Sequence, residues 1–139
     1  MAEIPPQGEA GDPKRLSVDQ FILDEIDSVP HLEALLLAWN KRPKSWSVAE
    51  MSSAIYVADE AGKSILVELA RRGLIAEEPA SSGQYSYRAK SAEWDDFMSL
   101  LDRTYRRELI RISKLIHSKA PSAVHQFARA FRFTKEKDR

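Results

Sequence analysis

Lys41, Arg42 and Lys44, with a second set at Arg103, Arg106, Arg107, Arg111 and Lys114, are the side chains best placed by type and spacing to do chemistry. That chemistry is charge neutralisation, of phosphate oxygens or of carboxylates on an acidic protein. The first three fall between two apolar helical patterns and belong to a loop. The later five recur at helical spacing opposite much of an apolar stripe, and the plain reading of such a pattern is a solvated face. Bond-making chemistry has no comparable signature. There is no cysteine, and the sequence has neither a glycine-rich phosphate loop nor zinc-ligand spacing. His31, His117 and His125 are scattered, and Pro121 separates the last two. The carboxylates sit at helix starts or on charged faces, without the spacing of an acid/base pair. No enzyme, no metal and no cofactor are expected.

These cations must be positioned by the elements around them. The chain has 139 residues and is 43% hydrophobic, enough for a packed core and suited to one domain with appendages. No apolar run reaches the roughly 20 residues that span a bilayer, so a soluble, cytoplasmic protein without a membrane partner is expected. Net charge is zero but unevenly spread. Residues 1–29 carry two basic and seven acidic groups, residues 30–91 eight and seven, and residues 92–139 eleven and seven.

Residues 1–16, rich in Pro, Gly and acidic groups, read as a disordered arm. Ser17 with Gln20 has the form of a capping box, opening a short amphipathic helix through Val18, Phe21, Ile22 and Ile26. Pro30 starts a second helix, whose stripe is Leu32, Leu35, Leu36 and Trp39, and Pro43 ends it. Ser47 with Glu50 is another capping box, followed by Val48, Met51 and Ile55 on one face. Tyr56 and Val57 mark a tight turn. From Ala58 to Arg72 a further helix is predicted to bury Ala61, Ile65, Leu66 and Leu69, and Gly73 stops it. Gly62, in its middle, calls for close packing against a neighbouring helix or close approach of a partner. Leu74–Glu78 and Gln84–Arg88 read as two strands joined by a turn. Trp39 and Trp46 are expected in the core.

One long helix is predicted from Ala92 to Ser118, roughly 40 Å at 1.5 Å per residue. Its stripe includes Phe97, Leu101, Tyr105, Leu109, Ile112, Leu115 and Ile116. A helix of that length overhangs so small a domain, and a second copy of the chain is the nearest cover for the overhang. A last helix, Ser122–Phe133, and a charged tail, residues 134–139, complete the chain.

The order of helix, capped helix, tight turn, helix and two-stranded hairpin resembles bacterial winged helix-turn-helix transcription regulators, with MarR- and PadR-like proteins nearest. The residues that carry the resemblance are Ser47–Met51, Ile55–Val57 and Leu66–Ile75. It implies a mainly α fold with a small β-hairpin, a winged domain over residues 17–90 including an extra N-terminal helix, and C-terminal helices over 91–133 that dimerise or dock a partner. It also implies that the helix after the turn enters the major groove of DNA. Double-stranded DNA would then meet Lys41, Arg42, Lys44, Lys63, Ser64, Ser81, Ser82, Gln84 and Arg88, while Phe97, Leu101, Tyr105, Leu109, Ile112, Leu115 and Ile116 would form a homodimer interface.

The exposed positions on that reading helix are Asp59, Glu60, Lys63, Ser64, Val67 and Glu68. Two carboxylates at its start would repel a phosphate backbone, although acidic first turns also serve the helix dipole. A homodimeric DNA-binding transcription regulator is the first functional expectation. A non-catalytic winged-helix module that binds another regulatory protein is the second. The sign of charge around the helix from Ala58 to Arg72 separates the two.

Overall fold

The computed structural model describes residues 13–119, and side-chain surroundings for residues 17–118. The expected last helix, the charged tail and most of the N-terminal arm lie outside the described residues. Within them the protein is mainly helical with a small antiparallel sheet. No described helix is long and apolar enough to cross a membrane.

The elements fall into two compact units, Val29–Arg107 and the segments flanking it. In the first unit, α2 (Val29–Asn40) buries Leu32, Leu35 and Leu36 on one face. A two-residue strand, β1 (Trp46–Ser47), leads directly into α3 (Val48–Ala54). Ser47 closes the start of α3 from both sides. Its Oγ accepts from the Glu50 amide at 3.1 Å, and its own amide donates to Glu50 Oε1 at 2.9 Å. The expected capping box is therefore formed, and two of the helix's orphan amides are satisfied.

Helix α3 ends on Tyr56, whose φ of 61° lies in the left-handed region. The Val57 amide reaches back to the Ser52 carbonyl at 3.0 Å, the closure that a left-handed residue permits. Helix α4 (Asp59–Arg71) ends in the same way on Gly73, with φ 77° and the Leu74 amide bonded to the Leu69 carbonyl. Glycine at 73 takes this conformation without strain; tyrosine at 56 does not.

The buried face of α4 is Gly62, Ile65, Leu66 and Leu69, whereas Ala61, expected inside, is exposed. Gly62 takes the inward position because α3 comes too close for any side chain. A Cβ built there would lie 1.8 Å from Ser52 Oγ. Of the two explanations for Gly62, close helix packing holds.

Strands β2 (Ile75–Glu77) and β3 (Gln84–Tyr87) form the expected hairpin, and β1 joins its far side to give the order β1-β3-β2. Tyr85 pairs with Trp46 across one ladder and with Glu77 across the other. Trp39, Trp46, Tyr85 and Tyr87 are all buried, as core. Helix α5 (Ala92–Arg107) packs Met98 and Leu101 inward and is tied to its neighbours by polar contacts. The Tyr87 hydroxyl donates to Asp95 Oδ1 at 2.9 Å, and the Tyr105 hydroxyl to Glu33 Oε2 at 3.0 Å.

The other unit pairs α1 (Pro13–Glu25) with α6 (Leu109–Lys119). Val18, Ile22, Ile26, Ile112 and Ile116 are fully buried, and Arg111 bridges to Asp19 at 2.9 Å. Three expectations change here. The first helix begins at Pro13, so residues 13–16 are helical and Ser17 lies inside the helix instead of capping it. That helix belongs with α6 and not with the domain expected over 17–90, while α5 belongs with the central unit. The single helix from Ala92 to Ser118 is two helices, interrupted at Glu108, whose carbonyl starts a new turn by accepting from the Ile112 amide. No single helix of 40 Å is therefore formed.

Candidate binding surface on helix α4 and the hairpin

The start of α4 and the inner side of the β2–β3 hairpin enclose an open cleft of about 490 Å³. The helix contributes Asp59, Glu60 and Lys63 to its wall, and the hairpin contributes Glu77, Ser81, Ser82 and Gly83. Val48 and Tyr85 supply the less polar part of the lining. Asp59 and Glu60 are exposed on the first turn, where the helix dipole favours negative charge and no side chain caps the helix. Among the described residues neither carboxylate has a hydrogen-bond or ion-pair partner, and Lys63 pairs with no acid. Glu77 turns partly inward, with Oε2 accepting from the Gly83 amide at 2.8 Å. That bond holds the hairpin tip, where Ser81 also adopts a positive φ of 62°. Burial, and then the charge of Glu77, push the Tyr85 phenol above its ordinary pKa.

The expected nucleic-acid residues do not converge on this cleft as a set. Lys63, Ser81 and Ser82 line it, and Ser64 is exposed on the neighbouring helical position. Gln84 is half-buried at the start of β3, and its amide donates to Ser82 Oγ at 3.1 Å. Arg88 is exposed just beyond β3, and Lys41 is exposed after α2.

Arg42 and Lys44 are also exposed, and each lies over an indole ring. The Arg42 guanidinium lies 4.5 Å from the centre of the Trp39 ring and donates to the Trp39 carbonyl at 2.5 Å. The Lys44 ammonium sits 4.8 Å from the Trp46 ring centre and 3.8 Å from Glu50 Oε2. Lys44, after the Ser47 amide, helps to hold Glu50 below the usual carboxylate range. Glu68, expected among the exposed reading positions, is half-buried and lies 2.6 Å from His31 Nε2.

The residues expected at a homodimer interface are divided by the interruption at Glu108. On α5, Leu101 is fully buried within the chain, Tyr105 is held by Glu33, and Phe97 stacks on Trp94 at 5.3 Å. On α6, Ile112 and Ile116 are fully buried and Leu115 is half-buried. Leu109 is 48% exposed, and its neighbour Ile110, which was not anticipated, is 68% exposed.

A second hollow of about 330 Å³ lies between α2, Tyr56 and α5. Its carboxylates are already occupied, Glu33 by Tyr105 and Asp102 by Asn40 and Arg106. In the α4–hairpin cleft, by contrast, Asp59, Glu60 and Lys63 have no partner among the described residues, while Glu77 is bonded to the Gly83 amide. Sequence reasoning found its helical wall, and missed Glu77 and Tyr85, which only the hairpin register brings opposite α4. No protein-family model, curated protein or solved structure matches the chain.

Proposed function

We propose that Val29–Arg107 is a winged helix-turn-helix module that is non-catalytic and binds another regulatory protein. The element order supports the fold reading: helix, short strand, capped helix, tight turn, helix and hairpin, with sheet order β1-β3-β2. One observation carries the functional reading. Where a DNA reader sets its phosphate contacts, this cleft presents three carboxylates against the single ammonium of Lys63. A duplex laid along α4 would bring its phosphates against Asp59 and Glu60, while Arg42 and Lys44 are held on indole rings.

The second reading is a homodimeric DNA-binding transcription regulator of the MarR/PadR kind. It is favoured by the exposure of Lys41, Lys63, Ser64 and Arg88 and by the serines of the hairpin tip. The exposed Leu109 and Ile110 would then help to join two copies, setting their α4 helices about 34 Å apart, one turn of DNA.

Titration of the full chain with random and native upstream duplexes across a salt series separates the readings. A DNA reader loses affinity steeply as salt rises. The expected result is no measurable binding even at low salt. Salt-dependent binding that Lys63→Ala weakens would overturn the protein-binding reading. Light scattering at high concentration reads the oligomeric state, and a clean monomer removes the homodimer.

A further inference from the structure

We propose that the hollow between α2, Tyr56 and α5 docks an amphipathic helix of the protein partner, with apolar side chains inward and carboxylates along Arg103, Arg106 and Arg107. The inference rests on the protein-binding reading above. The floor of the hollow is apolar, from Leu36, Leu37, Ala54 and Ile55, and Tyr56 completes the lining. Tyr56 is 92% exposed on a left-handed backbone, so its ring is displayed at a cost in strain and adds little to the core. Tyrosine and arginine are among the residue types that most often dominate a protein contact, and here they stand side by side.

Charge selects the partner. Both carboxylates of the lining are spent: Glu33 accepts from the Tyr105 hydroxyl, and Asp102 accepts from Asn40 and Arg106. Within the Asp102–Arg106 pair the acid is withdrawn, with 13% of its side chain exposed against 65% for the arginine. The charge shown to solvent beside the hollow is therefore cationic. Arg103 and Arg107, exposed as well, extend it along α5 at the spacing that gathers side chains on one helical face. No acid lies between Arg103 and Arg107 in the sequence.

A partner that sets carboxylates at the matching spacing while turning apolar groups to one side is an amphipathic helix. A duplex could meet the same arginines, but its backbone brings no apolar side chains to the floor. The volume of about 330 Å³ is at the low end for ligand sites, so the hollow takes anchoring side chains and leaves the rest of the helix on its rim.

The test uses the full chain and three blocked helical peptides of one length. The first carries leucines on one face with glutamates beside them, the second has lysines for the glutamates, and the third has serines for the leucines. Titration is followed by amide chemical shifts. The leucine–glutamate peptide is expected to bind, with shifts concentrated at Leu37, Ala54, Tyr56 and Arg106. The lysine peptide should bind about ten-fold more weakly and the serine peptide not measurably. Tyr56→Gly should weaken binding about ten-fold while leaving the fold at least as stable, which separates a lost contact from lost structure. Arg103→Gln with Arg107→Gln should shrink the preference for glutamate over lysine. Equal binding of the lysine peptide, shifts centred elsewhere, unchanged binding in Tyr56→Gly, a preference unchanged in the double variant, or no binding of the first peptide would each overturn the inference. Shifts at these amides that grow with protein concentration alone would assign the hollow to a second copy and overturn it too. If the peptide and duplex DNA both fail, the protein-binding reading stands and only this surface is lost. If duplex DNA binds and Lys63→Ala weakens it, both fall together.

Discussion

Ser52 on α3 and Gly62 on α4 occupy one space. A Cβ on Gly62 would lie 1.8 Å from the Ser52 Oγ and 2.9 Å from its Cβ, distances that no rotation of the serine alone relieves. The angle between the two helices, and so the presentation of Asp59 and Glu60, depends on this contact. Gly62→Ala gains about 1 kcal/mol of helix propensity, while overpacking costs typically about 1–3 kcal/mol. A net loss of about 1–2 kcal/mol is expected in denaturant unfolding. Ser52→Ala is the control: the buried Oγ has no hydrogen-bond partner, so its removal should be neutral or stabilising by up to about 1 kcal/mol.

Tyr56 offers a gain in stability. It is 92% exposed, so its ring adds little to the core, yet it occupies a backbone region that costs a non-glycine residue about 1–2 kcal/mol. Tyr56→Gly relieves that strain, and part of the relief is offset by the greater freedom of glycine in the unfolded chain. A net gain of about 0.5–1 kcal/mol is expected. Unfolding at lower denaturant than the parent would refute it.

Alkaline pH should loosen the attachment of α5. Burial, and then the hydrogen bond to Glu33, push the Tyr105 phenol up to about 12, and burial with Asp95 raises Tyr87 as well. Between the ordinary value near 10 and the raised one, the unfolded chain has lost its phenolic proton while the folded chain keeps it. The folded state binds more protons there, so stability falls as pH rises through this window. Tyr105→Phe and Tyr87→Phe should flatten that decline. Ultraviolet titration of tyrosinate in the folded protein, compared with Tyr105→Phe and Tyr87→Phe, checks the shift directly; loss of a phenol ionising near 10 in either variant would rule it out.

The capping box at α3 gives an acid-side counterpart. Ser47→Ala should cost about 1 kcal/mol, the usual loss of an N-cap hydroxyl. The Ser47 amide, with Lys44 second, holds Glu50 below its ordinary range, so its contribution is present at neutral pH and lost as pH falls through the depressed value. Stability measured between neutral and acidic pH should fall less steeply in Glu50→Gln than in the parent.

Local physics made much of this fold legible in the sequence. Ser47 with Glu50, and Gly73, announce themselves because a cap or a left-handed stop is settled within a few residues. The buried stripe of α2 follows from helical period alone. Strand β1 left no signal, since two residues become a strand only by pairing with Gln84 and Tyr85. The interruption at Glu108 has no proline or glycine to mark it, and the apolar period runs through it. At the cleft, Asp59 and Glu60 could be read from one helix, whereas Glu77 and Tyr85 needed the hairpin register. Arg42 and Lys44 lie three and two residues from their tryptophans, so their capture by indole rings is a matter of local spacing.

That capture has a spectroscopic consequence. All three tryptophans carry a cation on the ring: Arg42 on Trp39, Lys44 on Trp46, and Lys90 on Trp94. A polyanion drawn onto these exposed cations would change the charge beside the indoles and so alter the fluorescence of the chain. A partner received in the acidic cleft would leave them seated. The protein thus carries its own optical label for the sign of whatever it binds.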